Sequence, residues 1–302
     1  MNADNAAPKK LFFNLEPATL KGVLLTLASA ACVSVTFIAS KQAMRELSPL
    51  AFTPLWFAAA SMWGAGFYAG RSGLSLPGNL RQLVWPLLGL GIFNGLANYL
   101  LFSAINLGDP TLVAFFSRSE TIYSVGLGAL LLSERMLGYQ WLGAGIAIAG
   151  AGVLTFRGGS VVGLMLLITL VSNFFLSLST LIAKQYVRAV PPLLLSTIRT
   201  VLMTLLLGAI GLFAGELAWP GWLTWAWIIG GAFFGPFLSY VLFYRGLLYL
   251  NLGQGAVIRS LQPLFVAVYS WALFGTLITG QQFIGGVMML AGVSLMLWQR
   301  NR

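Results

Sequence analysis

The chain has 302 residues, 58% of them hydrophobic and 8% charged, with a formal net charge of +10. Its mean hydropathy of +0.87 excludes an ordinary soluble domain, which is about 25% charged. With no histidine and a single cysteine, it offers no basis for a metal centre, an intrachain disulfide, or a Cys/His or Ser/His hydrolase.

The first sixteen residues are polar and carry Lys9 and Lys10. The apolar run that follows is full length and ends in no small-residue cleavage pattern, so it is read as a retained first transmembrane helix, with Cys32 inside it. Further runs of about 20 apolar residues follow, parted by short polar or Gly/Pro breaks, as in a polytopic helical membrane protein. Barrel strands would alternate apolar and polar at period two, and these runs do not. Ten spans are predicted, at 20–40, 50–70, 83–107, 111–132, 138–156, 161–183, 192–214, 222–249, 254–277 and 280–298. Loop 72–82, with Gly73, Pro77 and Gly78, and loop 215–221 are the longest breaks, so no soluble domain is inserted. The 35 glycines suit close helix packing in lipid.

An internal repeat divides the chain. Lys41-Gln42-x-x-Arg45-x-x-x-Pro49-Leu50 returns as Lys184-Gln185-x-x-Arg188-x-x-x-Pro192-Leu193, a constant 143 residues on. Gly138, Gln140, Gly143, Ala149 and Gly150 return as Gly280, Gln282, Gly285, Ala291 and Gly292, 142 residues on. The halves are 20–156 and 161–298, flanked by tails 1–19 and 299–302. Five spans is an odd number, so the second half enters the membrane from the opposite side. The fold class expected is therefore an all-α integral membrane protein, two inverted-topology five-helix repeats around a central cavity, the architecture of secondary transporters. Basic residues orient it. Eleven (Lys9, Lys10, Lys21, Arg71, Arg81, Arg135, Lys184, Arg188, Arg245, Arg300, Arg302) share the side of the N-terminus, and three (Lys41, Arg45, Arg157) lie opposite. Both termini are expected to be cytoplasmic. Basic residues thus gather at helix ends, with no basic arm or recognition motif for nucleic acid.

The fourth span holds Ser117-Arg118-Ser119-Glu120-Thr121-Ile122-Tyr123-Ser124 near mid-membrane. Charges there cost about 2.5–3.5 kcal/mol each and survive facing protein or a wet cavity. Ser117, Glu120, Thr121 and Ser124 share one helical face. Glu120 is a candidate for a substrate ammonium or for the proton of an antiporter, and the alternative is a permanent pair with Arg118 or Arg259. The ninth span carries Ile258-Arg259-Ser260-Leu261-Gln262-Pro263 at the matching depth. A guanidinium suits a carboxylate because its fork binds two oxygens, so Arg118 and Arg259 with Glu120 form a candidate zwitterion site; the alternative is helix clipping. Arg199, near the start of the seventh span, reads as structural. Asn94 and Asn98 in the third span and Tyr240 and Tyr244 in the eighth are i, i+4 pairs that suit the wall of a solute site, or interhelical packing. Ser34, Thr36, Asn173 and Ser177 are weaker candidates. Pro86, Gly89, Gly91 and Gly95 in the third span, Gly235-Pro236 in the eighth and Pro263 in the ninth are expected to interrupt helices as hinges.

The two fives, the connection Leu132-Ser133-Glu134-Arg135 with Gln140-x-x-Gly143 and the glycines at 150 and 152, and the echo Gly280-x-Gln282-x-x-Gly285 resemble the EamA-type branch of the drug/metabolite transporter superfamily. The resemblance implies a ten-helix basket whose cavity is lined by helices 1, 3, 4, 6, 8 and 9, and an exporter of amino acids or other small metabolites from the bacterial inner membrane. The family often has a proline in the fourth helix. Here Glu120 and Thr121 stand there, so a kink is expected to be missing. No phosphate-binding loop is present, which argues against ATP coupling. A broad drug or cation effluxer, or a solute channel, remains the alternative.

Overall fold

A computed structural model describes residues 17–72, 83–108, 110–131, 137–155, 160–275 and 280–297. Most of both tails, Gly73, Pro77 and Gly78 of the first long loop, Leu132-Ser133-Glu134-Arg135, and Arg157 lie outside the described residues. Among the described residues the structure is helical without strands. In chain order it has α1 (Pro17–Ala43), α2 (Pro49–Ser72), α3 (Val84–Leu107), α4 (Pro110–Phe116), a 3-10 turn (Ser117–Ser119), α5 (Glu120–Leu131), α6 (Gly138–Thr155) and α7 (Ser160–Tyr186). Next come α8 (Pro192–Phe213), α9 (Trp222–Ala232), a π-helical segment (Phe233–Ser239), α10 (Tyr240–Gly246), α11 (Leu252–Arg259), α12 (Gln262–Phe274) and α13 (Gly280–Leu297). Among the described residues six helical stretches are long and apolar enough to cross a bilayer: Pro17–Ala43, Val84–Leu107, Ser160–Tyr186, Pro192–Phe213, Trp222–Gly246 and Leu252–Leu273.

Local chemistry sets the boundaries. Pro192 starts α8 after an extended Pro191, where a missing amide costs nothing. Asn251 and Gln254 close a reciprocal capping box on α11. In the α1–α2 turn, Glu46 accepts the Thr224 hydroxyl at 2.5 Å and the Gly221 amide at 2.7 Å, closing the N-terminus of α9. These two donors hold its carboxyl below the usual carboxylate range.

The helix breaks differ from expectation in two places. α3 runs unbroken through Pro86, Gly89, Gly91 and Gly95, because Pro86 falls in the first turn, where an amide has no intrahelical partner. The interruption expected at Pro86 is therefore absent. The fourth span, expected to lack a kink, narrows to a 3-10 turn at Ser117–Ser119 without any proline. Three side chains there compete for main-chain carbonyls: Ser117 Oγ donates to Val113 O at 2.8 Å, Arg118 Nε to Ala114 O at 3.0 Å and Ser119 Oγ to Phe116 O at 3.0 Å. In the ninth span α11 ends at Arg259 and α12 begins at Gln262, just ahead of Pro263. In the eighth, Gly235 and Pro236 lie within the π segment, a local widening of the helix.

Two antiparallel helix pairs frame the centre. α1 packs along α9, the π segment and α10: Gly22 meets Leu250, Thr26 meets Gly246, Thr36 meets Gly235 and Ala39 meets Gly231. A methyl group on Gly231 or Gly235 would overlap Trp56 or Thr36, so close approach demands glycine there. α3 packs along α7 through Asn94 Nδ2 to Ser179 Oγ at 3.0 Å, Ser172 Oγ to Ala97 O at 2.7 Å and Ser179 Oγ to Leu90 O at 3.1 Å. Outside them, α2 packs on α8 and α6 on α13. Phe52, Trp56, Phe57 and Phe102 fill the core between α2 and α3, with Phe52 and Phe102 edge to face at 4.9 Å.

Candidate functional site

The 3-10 turn of the fourth span and the α11–α12 break of the ninth lie against each other. Arg118 joins them. Its Nη1 donates to Arg259 O at 2.6 Å and its Nη2 to Gln262 Oε1 at 2.8 Å, while Nε serves its own helix. All three nitrogens of this 5%-exposed guanidinium are thus engaged by protein, and Gln262 is engaged with it. That is the geometry of a clip.

Glu120 and Arg259 are held differently. Arg259 Nη1 stands 3.8 Å from Glu120 Oε1, with side chains 4% and 7% exposed. The separation is an ion pair and too long for a hydrogen bond. Among the described residues Glu120 Oε1, Arg259 Nε and Nη1, and Asn173 Oδ1 have no hydrogen-bond partner. Buried polar groups are almost always paired, so four such atoms in one place mark a site built for something else. The guanidinium of Arg259 rests on Phe243, its Cζ 4.5 Å from the ring centre, which offsets part of its desolvation.

These atoms line a cavity of about 40 Å³, counted as space open to the centre of a water molecule. That admits a few waters at roughly 10–15 Å³ each. A solute of amino-acid size needs it wider. Its wall is Val33, Thr36 and Phe37 of α1, Ala97, Asn98 and Leu101 of α3, Ser117, Arg118 and Glu120, Ser172, Asn173 and Leu176 of α7, Gly235, Pro236 and Tyr240, Arg259 and Gln262, and Trp56 of α2.

Of the residues expected at a solute site, Glu120, Arg118, Arg259, Gln262, Asn98 and Tyr240 meet in this wall and Asn94, Tyr123 and Tyr244 do not. Asn94 is spent on Ser179, Asn98 and Arg199. Tyr123 packs edge to face on Phe174 at 5.8 Å. Tyr244 is buried against Tyr240 and Phe243. Of the weaker candidates, Thr36 and Asn173 reach the wall and Ser34 and Ser177 do not. One wall residue, Trp56, was not anticipated, while Arg199, read as structural, is placed as a brace. Trp56 closes the wall from α2. Arg199 is fully buried; it donates to Asn94 Oδ1 at 2.8 Å and to Pro236 O at 2.6 Å, and lies over the Tyr240 ring at 3.6 Å. Its role is to brace the π segment and Tyr240 from α8. Trp56 and Arg199 are each the seventh residue after the repeated Pro49 and Pro192, a correspondence by which the sequence could have flagged them together.

A helical protein with several apolar spans and a charged cavity buried among them is a multi-pass membrane protein. The chain belongs to the EamA-like transporter family, whose profile matches residues 20–156 and 163–298. It is similar to an uncharacterized transporter of Archaeoglobus fulgidus, 26% identical over 74% of this chain and 81% of that one. It is also similar to a probable amino-acid metabolite efflux pump of Escherichia coli, 25% identical over 90% of this chain and 93% of that one. A protein crystal structure shares the fold at a TM-score of 0.72 and 18% identity, over 92% of this chain and 95% of that one.

Proposed function

We propose that the protein is a secondary exporter of small zwitterionic metabolites, amino acids foremost, working by alternating access in a bacterial inner membrane with both termini cytoplasmic. Ten spans form two inverted halves, 20–156 and 161–298, around the cavity. In support, α4 and α11, α5 and α12, and α6 and α13 each begin 142 residues apart. α1 also runs against the direction of α7, since it is antiparallel to α10 and its C-terminal end lies beside that of α3.

The observation that carries the reading is the set of partnerless atoms. A solute carboxylate suits Arg259 Nε and Nη1. Its ammonium suits Glu120 Oε1 and Asn173 Oδ1. Inserting a solute between Arg259 and Glu120 exchanges a 3.8 Å pair for charge-assisted hydrogen bonds on both sides. Arg118 and Gln262 hold the two helix breaks in register, and Arg199 holds Tyr240. Antiport with protons, with Glu120 as the carboxylate of the cavity wall, is the coupling we favour. The name of the Escherichia coli relative is consistent with this substrate class.

A thermal-shift screen of purified protein against metabolites tests it. Zwitterionic amino acids are expected to raise the melting temperature, and their N-acetyl and ester derivatives, which lack one of the two charges, to leave it unchanged. Stabilisation by organic cations without a carboxylate, and none by amino acids, would favour a cation effluxer instead.

A further inference from the structure

The repeated Lys-Gln-x-x-Arg motif lies away from the cavity, yet both lysines make the same kind of contact. Lys41, in the last turn of α1, donates through Nζ to Ile105 O at 3.0 Å, Asn106 O at 3.3 Å and Gly108 O at 2.9 Å, at the end of α3. Lys184, in the last turn of α7, donates through Nζ to Leu247 O at 2.7 Å and Leu250 O at 2.5 Å, just past α10. Carbonyls at a helix C-terminus lack intrahelical partners and carry the negative end of the helix dipole. A three-donor ammonium suits them.

The contacts cross a particular boundary. α1 belongs with α9–α10, and α3 belongs with α7. Lys41 reaches from the first pair to the second, and Lys184 from the second to the first. They do so at opposite ends. Leu250, bound by Lys184, packs on Gly22 near the start of α1, whereas Lys41 is near its finish. At 1.5 Å per residue the two levels are about 28 Å apart along α1. The cavity touches α1 at Val33, Thr36 and Phe37, between them. The carbonyls each lysine binds also lead directly into α4 or α11, the helices that end at the Arg118 turn and at Arg259.

We propose that Lys41 and Lys184 are a pair of latches, each closing one mouth of the cavity by tying the two helix pairs together; this rests on the alternating-access reading above. Both contacts are made in this structure. Transport opens one while the other holds.

The test reads the two mouths separately. Cys32 is the single cysteine, so Cys32→Ala with Ala97→Cys puts one reporter thiol in the cavity wall. Labelling by a membrane-impermeant maleimide is timed in right-side-out and inside-out vesicles. Lys41→Met is expected to speed labelling about tenfold from the Lys41 face and to slow it from the other, the factor that losing a charge-assisted hydrogen bond supports. Lys184→Met is expected to do the reverse. Lys→Arg at either position keeps a multiple donor and is expected to restore the parent pattern, which separates latching from a folding defect. Unchanged labelling in both Met variants would overturn the latches and leave alternating access standing. Faster labelling from both faces in a single variant would mean a continuous pore and sink both ideas.

Discussion

Replacing Arg259 by alanine is expected to abolish export of zwitterions, with an apparent loss of at least about thirtyfold. Removing one partner of a buried charged contact to a ligand costs about 2–5 kcal/mol, and each 1.4 kcal/mol is tenfold. The same change removes the ion-pair partner of Glu120, already 7% exposed at its side chain, which is costly to the fold by up to about 3–5 kcal/mol. Arg259→Lys avoids that by keeping the charge, but it loses the planar fork. It should melt near the parent temperature and still transport poorly. Glu120→Gln is the complementary case. It keeps the shape and removes the charge offered to the ammonium. The parent should reject N-acetyl amino acids, and Glu120→Gln should accept them nearly as well as the free amino acids it still carries. Initial rates of uptake into proteoliposomes of each variant measure both effects. A cationic solute transported at parent rates by Arg259→Ala would remove the zwitterion model.

Gly235→Ala is expected to destabilise the protein by about 1–3 kcal/mol, the usual cost of overpacking. The new methyl group overlaps Thr36 Oγ1 and comes within 3.3 Å of Trp56. Thr36 Oγ1 is itself buried without a hydrogen-bond partner among the described residues, so Thr36→Ala alone removes little. The pair Gly235→Ala with Thr36→Ala should therefore recover most of the loss, a coupling that neighbouring residues commonly show. Thermal melts of the three variants in detergent measure it. Because Thr36, Trp56 and Gly235 all face the cavity, Gly235→Ala should also slow transport, and the double variant should regain part of it.

Much of this was legible from hydropathy and the repeat. Long apolar runs can only be helices in lipid, and the offset linked Arg118 and Glu120 to Arg259 and Gln262 before any contact was known. What the sequence hid follows from geometry. Asn94 and Tyr244 share a helix face with Asn98 and Tyr240, but one turn along the helix puts them behind the wall. Arg199 resembled any arginine near a helix start until the π segment brought the Pro236 carbonyl to it. Proline was an uneven guide to breaks: Pro236 and Pro263 sit at them and Pro86 sits harmlessly in a first turn, while Ser117, Arg118 and Ser119 break the fourth span through hydrogen bonds to their own backbone. Leu132 through Arg135, part of the family resemblance, lie outside the described residues.

The central claim is that a zwitterion is carried by a site open to one side at a time. Counterflow in proteoliposomes addresses it most directly. Vesicles are loaded with an excess of the unlabelled amino acid that gives the largest thermal shift, then diluted into a trace of the labelled form. A carrier built as described here gives a transient accumulation of label above equilibrium, saturable and absent in Arg259→Ala. Label that only equilibrates, without overshoot or saturation, would contradict the account and leave a channel in its place.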